Sequence, residues 1–362
     1  MWKNTEVSRR LSIEYPVIQG PFGGGLSAVE LAATVSEAGG LGSFGVHHLD
    51  ADQIREVGRE LHARTRKPFA LNLWVSNHDA NGHQLNPDQV HSALAMFQPY
   101  YDELVLVPPD PPMSFGNRFE DQIDALIETR PAVFSFVYGI PSSDILSECK
   151  RRGIVTVGTI TTIDEALAME RAGVDLIVAT GSEAGGHRVS FMSSPEDSLT
   201  GAFSLIPTVC ANVKTPVIAA GGIANGRGIA AAFMLGAQGV QIGTAFLACE
   251  ESNASSVHRE ALFSDKAKYT MLTRAFSGRL ARGIRNRFAG EMQNHSSDLL
   301  PYPIQSWFTG SFKQAAIKQG RGDLISLWAG QCAPLLRHRH ARELFSEMIS
   351  DVSRMLAGHS FS

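Results

Sequence analysis

The chain has 362 residues, 34 of them glycine, and a formal net charge of −4; this length suits two average domains or one large α/β domain with an addition. Acidic and basic residues are interspersed, without a basic stripe for nucleic acid or an acidic tail, so the expected partner is a small molecule. Cys149, Cys210, Cys249 and Cys332 form no CxxC pair and read as reduced core thiols, and neither a signal-peptide core nor a membrane-length apolar run occurs, which points to the cytoplasm.

From residue 15 onward short β-branched runs alternate with helix-length amphipathic segments, the pattern of repeated βα units and a parallel sheet. The first strand is expected over residues 16–19, running into Gly20-Pro21-Phe22-Gly23-Gly24-Gly25 and then a helix from Ser27, as N-cap, to Ala38. The second strand covers residues 41–44, with a helix starting at Asp50 or Asp52 and ending near His62; the third covers residues 69–74. A polar connection over residues 76–86 leads to a helix over 87–97, and an irregular proline-rich loop at 107–112 leads to one over 118–128. The fourth strand is expected at 132–136, with a helix over 142–152, and the fifth at 154–157, with a capped helix over 161–172.

The sixth strand, residues 174–178, delivers the stretch 179–188, where Gly181, Gly185 and Gly186 bring a backbone close to any ligand and present His187 beside Arg188. The seventh strand, 216–220, runs into Gly221-Gly222, and the eighth, 239–242, carries Gln241 and Ile242 into Gly243-Thr244. Eight such units with glycine-rich or polar residues after the strands predict a (β/α)8 TIM barrel with its site at the C-terminal mouth, a doubly wound open sheet being the competitor. The two adjacent glycine loops after the last two strands fit a phosphate. The expected division is a barrel over 1–254, a mainly helical C-terminal subdomain over 255–330 covering the barrel mouth, and a closing helix within 331–362, from about Pro334 to Met355, that packs back on the barrel.

Several stretches spread over nearly the whole chain resemble the larger class of nitronate monooxygenases, formerly called 2-nitropropane dioxygenases. They are Gln19-Gly20-Pro21, residues 135–141, Gly181 to Arg188, Ala219 to Arg227, residues 235–244, residues 276–283 and Leu327-Trp328-Ala329-Gly330-Gln331. The resemblance implies FMN held non-covalently at the barrel mouth, with Gln19, Gly20, Asn72, Thr180, Gly185, Gly221, Gly222, Gln241, Ile242, Gly243 and Thr244 around it. Thr180 stands where the family usually carries Gln, and Val189 where it usually carries Gly, so the substrate side of this loop is expected to have its own shape.

An imidazole titrates near neutral pH, and with this resemblance His187 is the candidate catalytic base toward the α-carbon proton of a nitro compound. Arg188 is expected either to attract an anionic substrate or to clamp the loop, Glu183 to pair with an arginine, and Tyr302, in the segment expected to cover the mouth, to reach the substrate. His47, His48, His62, His78 and His83 have no cysteine or carboxylate framework for a metal and are read as solvated loop and helix histidines. The implied reaction is oxidation of alkyl nitronates with O2 to a carbonyl compound and nitrite. The alternatives are an NAD(P)H-dependent FMN reductase of enoyl thioesters or quinones and a non-catalytic FMN-binding protein. Neither nucleic acid nor membrane is an expected partner, and a homodimer is compatible with the sequence.

Overall fold

The computed structural model describes residues 2–75, 87–110 and 119–357. The polar connection 76–86, with His78 and His83, the predicted helix start at Arg118 and the last prolines of the loop ahead of it lie outside the described residues. In chain order the strands are β1 Val17–Gln19, β2 Gly42–Gly45, β3 Phe69–Trp74, β4 Val133–Val137, β5 Val155–Ile160, β6 Leu176–Thr180, β7 Gly186–His187, β8 Val217–Ala220, β9 Gly239–Ile242, β10 Thr270–Thr273 and β11 Ala281–Ile284. Eight of them pair in parallel in the order β1-β9-β8-β6-β5-β4-β3-β2. A bridge between Ile18 and Leu41, with Gln19 N–H to Leu41 O at 2.9 Å and Leu41 N–H to Val17 O at 3.0 Å, joins the two ends. The predicted (β/α)8 barrel is thus closed.

Side chains alternate across a strand, so residues of one parity line the barrel interior. Ile18, Ala70, Val133, Val157, Val178 and Ile218 form that interior with Val7 and Leu11, which come from a helix at Glu6–Leu11 that the sequence reading passed over and that packs with the barrel core. Two residues further along the same faces stand Gly20, Asn72, Ser135, Thr159, Thr180 and Ala220. The inward face therefore changes from apolar to small or polar just where the strands end, and this change opens the mouth.

Local chemistry explains most helix boundaries. Asp50, the first of the two proposed starts, accepts from Gln53 N–H and caps the helix Ala51–Arg64, and Ser142 caps Ser143–Arg151. Ser27 does not cap the helix Val29–Glu37, whose N-cap is Ala28. Its buried hydroxyl instead accepts from the N–H groups of Phe22 and Gly45 and donates to Phe22 O, tying the loop after β1 to the end of β2. Gly45 permits that close approach: a Cβ there would run into the Phe22 carbonyl.

The stretch 255–330 carries the helices Ser256–Leu262, Arg287–Glu291 and Ile304–Lys318, and also the hairpin β10–β11. The hairpin is not part of the barrel; β11 pairs antiparallel with β7, so this region grips the loop that follows β6. The closing helix begins at Ala341 rather than near Pro334, because residues 333–335 form a 3-10 turn and Leu336 is extended. It packs against the helices Gly226–Met234 and Val29–Glu37 on the barrel's outside. None of the described helices is long and apolar enough to cross a membrane.

The loop after β7 is held from the barrel side by Glu165, which is fully buried. One carboxylate oxygen accepts from Thr161 N–H, Thr161 Oγ1 and Thr162 N–H, and the other from the N–H groups of Phe191 and Met192. Glu165→Ala leaves these donors without their acceptor and is expected to cost about 3 kcal/mol, since charged hydrogen bonds contribute about 1.5–3 kcal/mol each and part is recovered by water. Calorimetric unfolding checks this; a thermal midpoint within about 1 °C of wild type would show that the loop does not depend on this carboxylate.

Candidate active site

At the C-terminal ends of the strands lies a cavity of about 530 Å³, within the size range of small-molecule and cofactor sites. It is lined by Gly20, Asn72, Thr180, Gly185, His187, Gly221, Gly222, Gln241, Gly243, Thr244 and Tyr302 among the residues named from the sequence. Gln19 and Ile242 do not line it. Both sit at strand positions of the opposite parity and are fully buried: Gln19 accepts from Ser43 N–H at 2.9 Å through its side-chain oxygen, and the Ile242 carbonyl accepts from Gly20 N–H. Sequence proximity to the mouth could not separate them from their neighbours; counting parity from the apolar interior does.

The floor near β8 and β9 is built of backbone. Gly221 and Gly222 have φ of 94° and 75°, a left-handed pair that a residue with a Cβ rarely adopts. Thr244 follows Gly243, and its hydroxyl accepts from Gly330 N–H at 2.9 Å. Gly330 and Gly185 touch so closely that a Cβ on Gly185 would lie 2.5 Å from Gly330 N. A cradle without side chains, with a threonine hydroxyl at its rim, fits a phosphate-bearing cofactor.

On the other side the cavity wall is aromatic and basic. Trp74, at the end of β3, is the hub: His47 stacks flat on it at 3.8 Å, His187 meets it edge-on at 5.1 Å, and Tyr138 and Tyr302 pack at 5.1 and 5.2 Å. Behind this wall, without lining the cavity, the Arg279 guanidinium lies over the rings of Tyr138, Tyr302 and Trp74 at 3.8, 4.2 and 5.0 Å. The sequence reading named Trp74 only as strand and Arg279 only within a matching stretch. The detectable signal for Trp74 was its place at the strand's C-terminal end, two residues beyond Asn72. Asn72 itself donates to Ser135 Oγ at 3.0 Å.

His187 is positioned by pairing rather than by its glycines alone. It lies opposite Ala281 of β11, its neighbour Arg188 N–H donates to Leu280 O at 2.8 Å, and its Nε2 lies 2.8 Å from Ser277 Oγ. Burial, and secondarily the Arg279 charge, push its pKa down to about 3. The ring is therefore neutral near neutral pH and carries one N–H. Arg188 does not line the cavity: its buried guanidinium donates to Ser198 O and, at 2.7 Å, to Thr180 O, which makes it the clamp of the two roles weighed from sequence. Burial lowers its pKa to about 10, with Glu165 and Glu183 pulling the other way. Glu183 accepts from Ala202 N–H at 2.9 Å and so fastens the loop to the start of the helix Ala202–Asn212.

The histidines divide in a way their spacing did not announce. His62 is exposed on its helix, with Nε2 2.8 Å from Thr129 O. His47 and His48, expected to be solvated loop residues, both line the cavity, His47 half-buried and His48 exposed as expected, and Lys313 joins them. No aspartate or glutamate is among the described lining residues, so the cavity holds three imidazoles and an ammonium group with no carboxylate to balance them. Burial lowers the pKa of Lys313.

Comparison with known proteins gives the family. The sequence model of the nitronate monooxygenase family matches residues 4–351. The chain belongs to the nitronate monooxygenase family. Probable nitronate monooxygenases of Staphylococcus haemolyticus strain JCSC1435 and Staphylococcus aureus strain Newman are each 39% identical to it over 358 residues, covering 98% of this chain and 99% of theirs. Among solved structures, a nitroalkane oxidase from Streptomyces ansochromogenes superposes with a TM-score of 0.87 at 33% identity, covering 98% of this chain and 99% of that one. FabK from Thermotoga maritima superposes with a TM-score of 0.76 at 29% identity over 98% and 97% of the two chains. This nitronate monooxygenase family member is thus an enzyme, an oxidoreductase from a family of flavin-dependent proteins.

The low pKa of His187 carries a stability consequence. The unfolded chain takes up a proton on this ring below about pH 6.5, whereas the folded chain does so only near pH 3, so stability present above pH 6.5 is lost as the pH falls through that window. His258, lowered to about 4 by burial, acts in the same direction. In His187→Asn the fall in unfolding free energy between about pH 6.5 and 5 should be shallower by roughly 1 kcal/mol per pH unit. Denaturant titrations at several pH values check this, and equal slopes in the two proteins would mean that His187 titrates normally.

Proposed function

We propose that this family member binds FMN and oxidises alkyl nitronates with O2 to a carbonyl compound and nitrite. The observation that carries the reading is the cavity itself: a glycine cradle on one side, an imidazole and aromatic wall on the other, and no carboxylate among its described lining residues. An anionic nitronate meets no like charge there, and Lys313 and Arg279 lend a favourable potential. The residues suited to hold FMN are Gly221, Gly222, Gly243 and Thr244 toward the phosphate, and Gly20, Asn72, Thr180, Gly185 and Gln241 toward the ring. When bound, FMN supplies the redox chemistry, taking electrons from the substrate and passing them to O2.

His187 is the catalytic residue of this reading, and its environment decides which substrates it serves. A neutral imidazole is the form that accepts a proton, yet a pKa near 3 makes it a weak base toward a carbon-bound proton. Nitronates, which have already lost that proton, need only orientation and a hydrogen bond from the ring, with Ser277 fixing its position. Neutral nitroalkanes need the transfer as well. The division into a barrel over 1–254, a cap over 255–330 and a closing segment over 331–362 belongs to the same proposal, with Tyr302 and Lys313 as the cap's contribution to the cavity. A small-molecule substrate and O2 are the partners it requires.

Two measurements test this. Oxygen consumption with ethylnitronate should exceed that with nitroethane by about 10²-fold or more in kcat/KM at a pH where nitroethane stays neutral, the scale of a missing general base; equal turnover would show a functional base and sink the substrate preference. Flavin released by heat should be FMN, and Gly222→Val should retain it more weakly because the backbone there is left-handed. Release of FAD, or full FMN retention by the variant, would mean that the cradle is misassigned.

A further inference from the structure

His47 is not used by the reaction as described, and its surroundings are unusual for a packing residue. It follows β2, lines the cavity, and stacks on Trp74 at 3.8 Å with an interplanar angle of 5°. Its Nδ1 is buried without a hydrogen-bond partner, and no described residue bonds its Nε2. Burial, with His48, His187 and Arg279 nearby, pushes its pKa well below the ordinary value, so the ring is neutral and has one proton to place. An enclosed N–H without an acceptor is rarer in proteins than an enclosed lone pair. The proton therefore sits on Nε2, and the ring nitrogen that remains for the cavity is a donor. The described groups that face this ring are His48, His187, Arg279 and the indole of Trp74, and none of them accepts a hydrogen bond from it.

We propose that His47 is a substrate-positioning residue whose Nε2–H donates a hydrogen bond to an oxygen of the nitro or nitronate group, so that two imidazoles flanking Trp74, His47 on its face and His187 at its edge, orient the substrate between them. The proposal rests on the nitronate reading above. It makes His47 a determinant of selectivity: ligands that present an oxygen acceptor to this wall are retained, and isosteric hydrocarbons leave the donor unpaired, a loss that apolar contact does not recover.

The test uses the FMN-loaded protein with 2-methyl-2-nitropropane, which has no α-hydrogen and so binds without turnover, measured by titration calorimetry alongside KM and kcat for ethylnitronate. His47→Phe keeps a ring against Trp74 and removes the donor. It should weaken the probe and raise KM by about 5–10-fold, the worth of one hydrogen bond, with kcat changed less than about 2-fold. His47→Gln, which restores an N–H, should recover much of the loss. Should His47→Phe fold poorly, Gly23→Ala provides the second probe: its Cβ would lie 2.7 Å from His47 Cε1 and displace the ring without removing it, so it should raise KM in the same direction. Wild-type binding of the probe by His47→Phe, or by Gly23→Ala where it stands in, overturns the proposal and leaves His47 as packing for Trp74. If the wild type itself neither binds the nitro compound nor oxidises ethylnitronate, it is the nitronate reading that has failed, and this inference falls with it.

Discussion

The candidate site depends on buried charges that fold one loop back over the barrel mouth. The chain leaves β6 at Thr180 and reaches the next helix only at Ala202, and in between it must place His187 against the cavity. Arg188 binds the carbonyls of Thr180 and Ser198, Glu165 takes the N–H groups of Phe191 and Met192, Glu183 takes that of Ala202, and Arg282 Nε donates to Ser182 O at 2.9 Å. Two cations and two anions thus replace a hydrophobic anchor, and most of their partners are backbone groups that would otherwise be orphaned. Side chains held by such partners fix the geometry of the loop. The one titratable side chain that this loop presents to the cavity, His187, has no acid beside it among the described residues, and burial lowers its pKa unopposed by any of them.

The same arrangement explains the division of labour between the barrel strands and the segment after residue 255. The barrel supplies backbone at the cradle and small polar side chains at the strand ends; the segment after residue 255 supplies Ser277, Arg279, Tyr302 and Lys313. Pairing of β11 with β7 makes the two inseparable at His187, because the hairpin strand that holds the imidazole's neighbour also leads back to the serine that bonds it. A change in the hairpin is therefore felt at the cavity without any contact with a ligand.

Much of this was legible in the sequence, for identifiable reasons. Strand and helix periods, the helix start at Asp50 and the glycine pair at 221–222 are local signals, and each corresponds to an element near where it is expected. Gln19 and Ile242 were placed by adjacency to glycine loops, but strand parity turns them away from the cavity. Ser27 looks like a helix cap in sequence and is a tether between β1 and β2 in space. Hidden altogether were the groups whose meaning is three-dimensional: the stacking of His47 on Trp74, the Arg279 box, and the absence of carboxylates among the described residues of the cavity wall. None of these has a spacing signature, since their members come from separate βα units and from the segment after residue 255.

In the proposed reaction, electrons enter from a nitronate at this cavity rather than from a nicotinamide. Mixing the purified flavoprotein anaerobically with ethylnitronate, and separately with NADH, while following the flavin absorbance tests it most directly. Ethylnitronate should bleach the flavin rapidly and NADH little or not at all over the same time; bleaching by NADH with no response to ethylnitronate would contradict the proposed reaction.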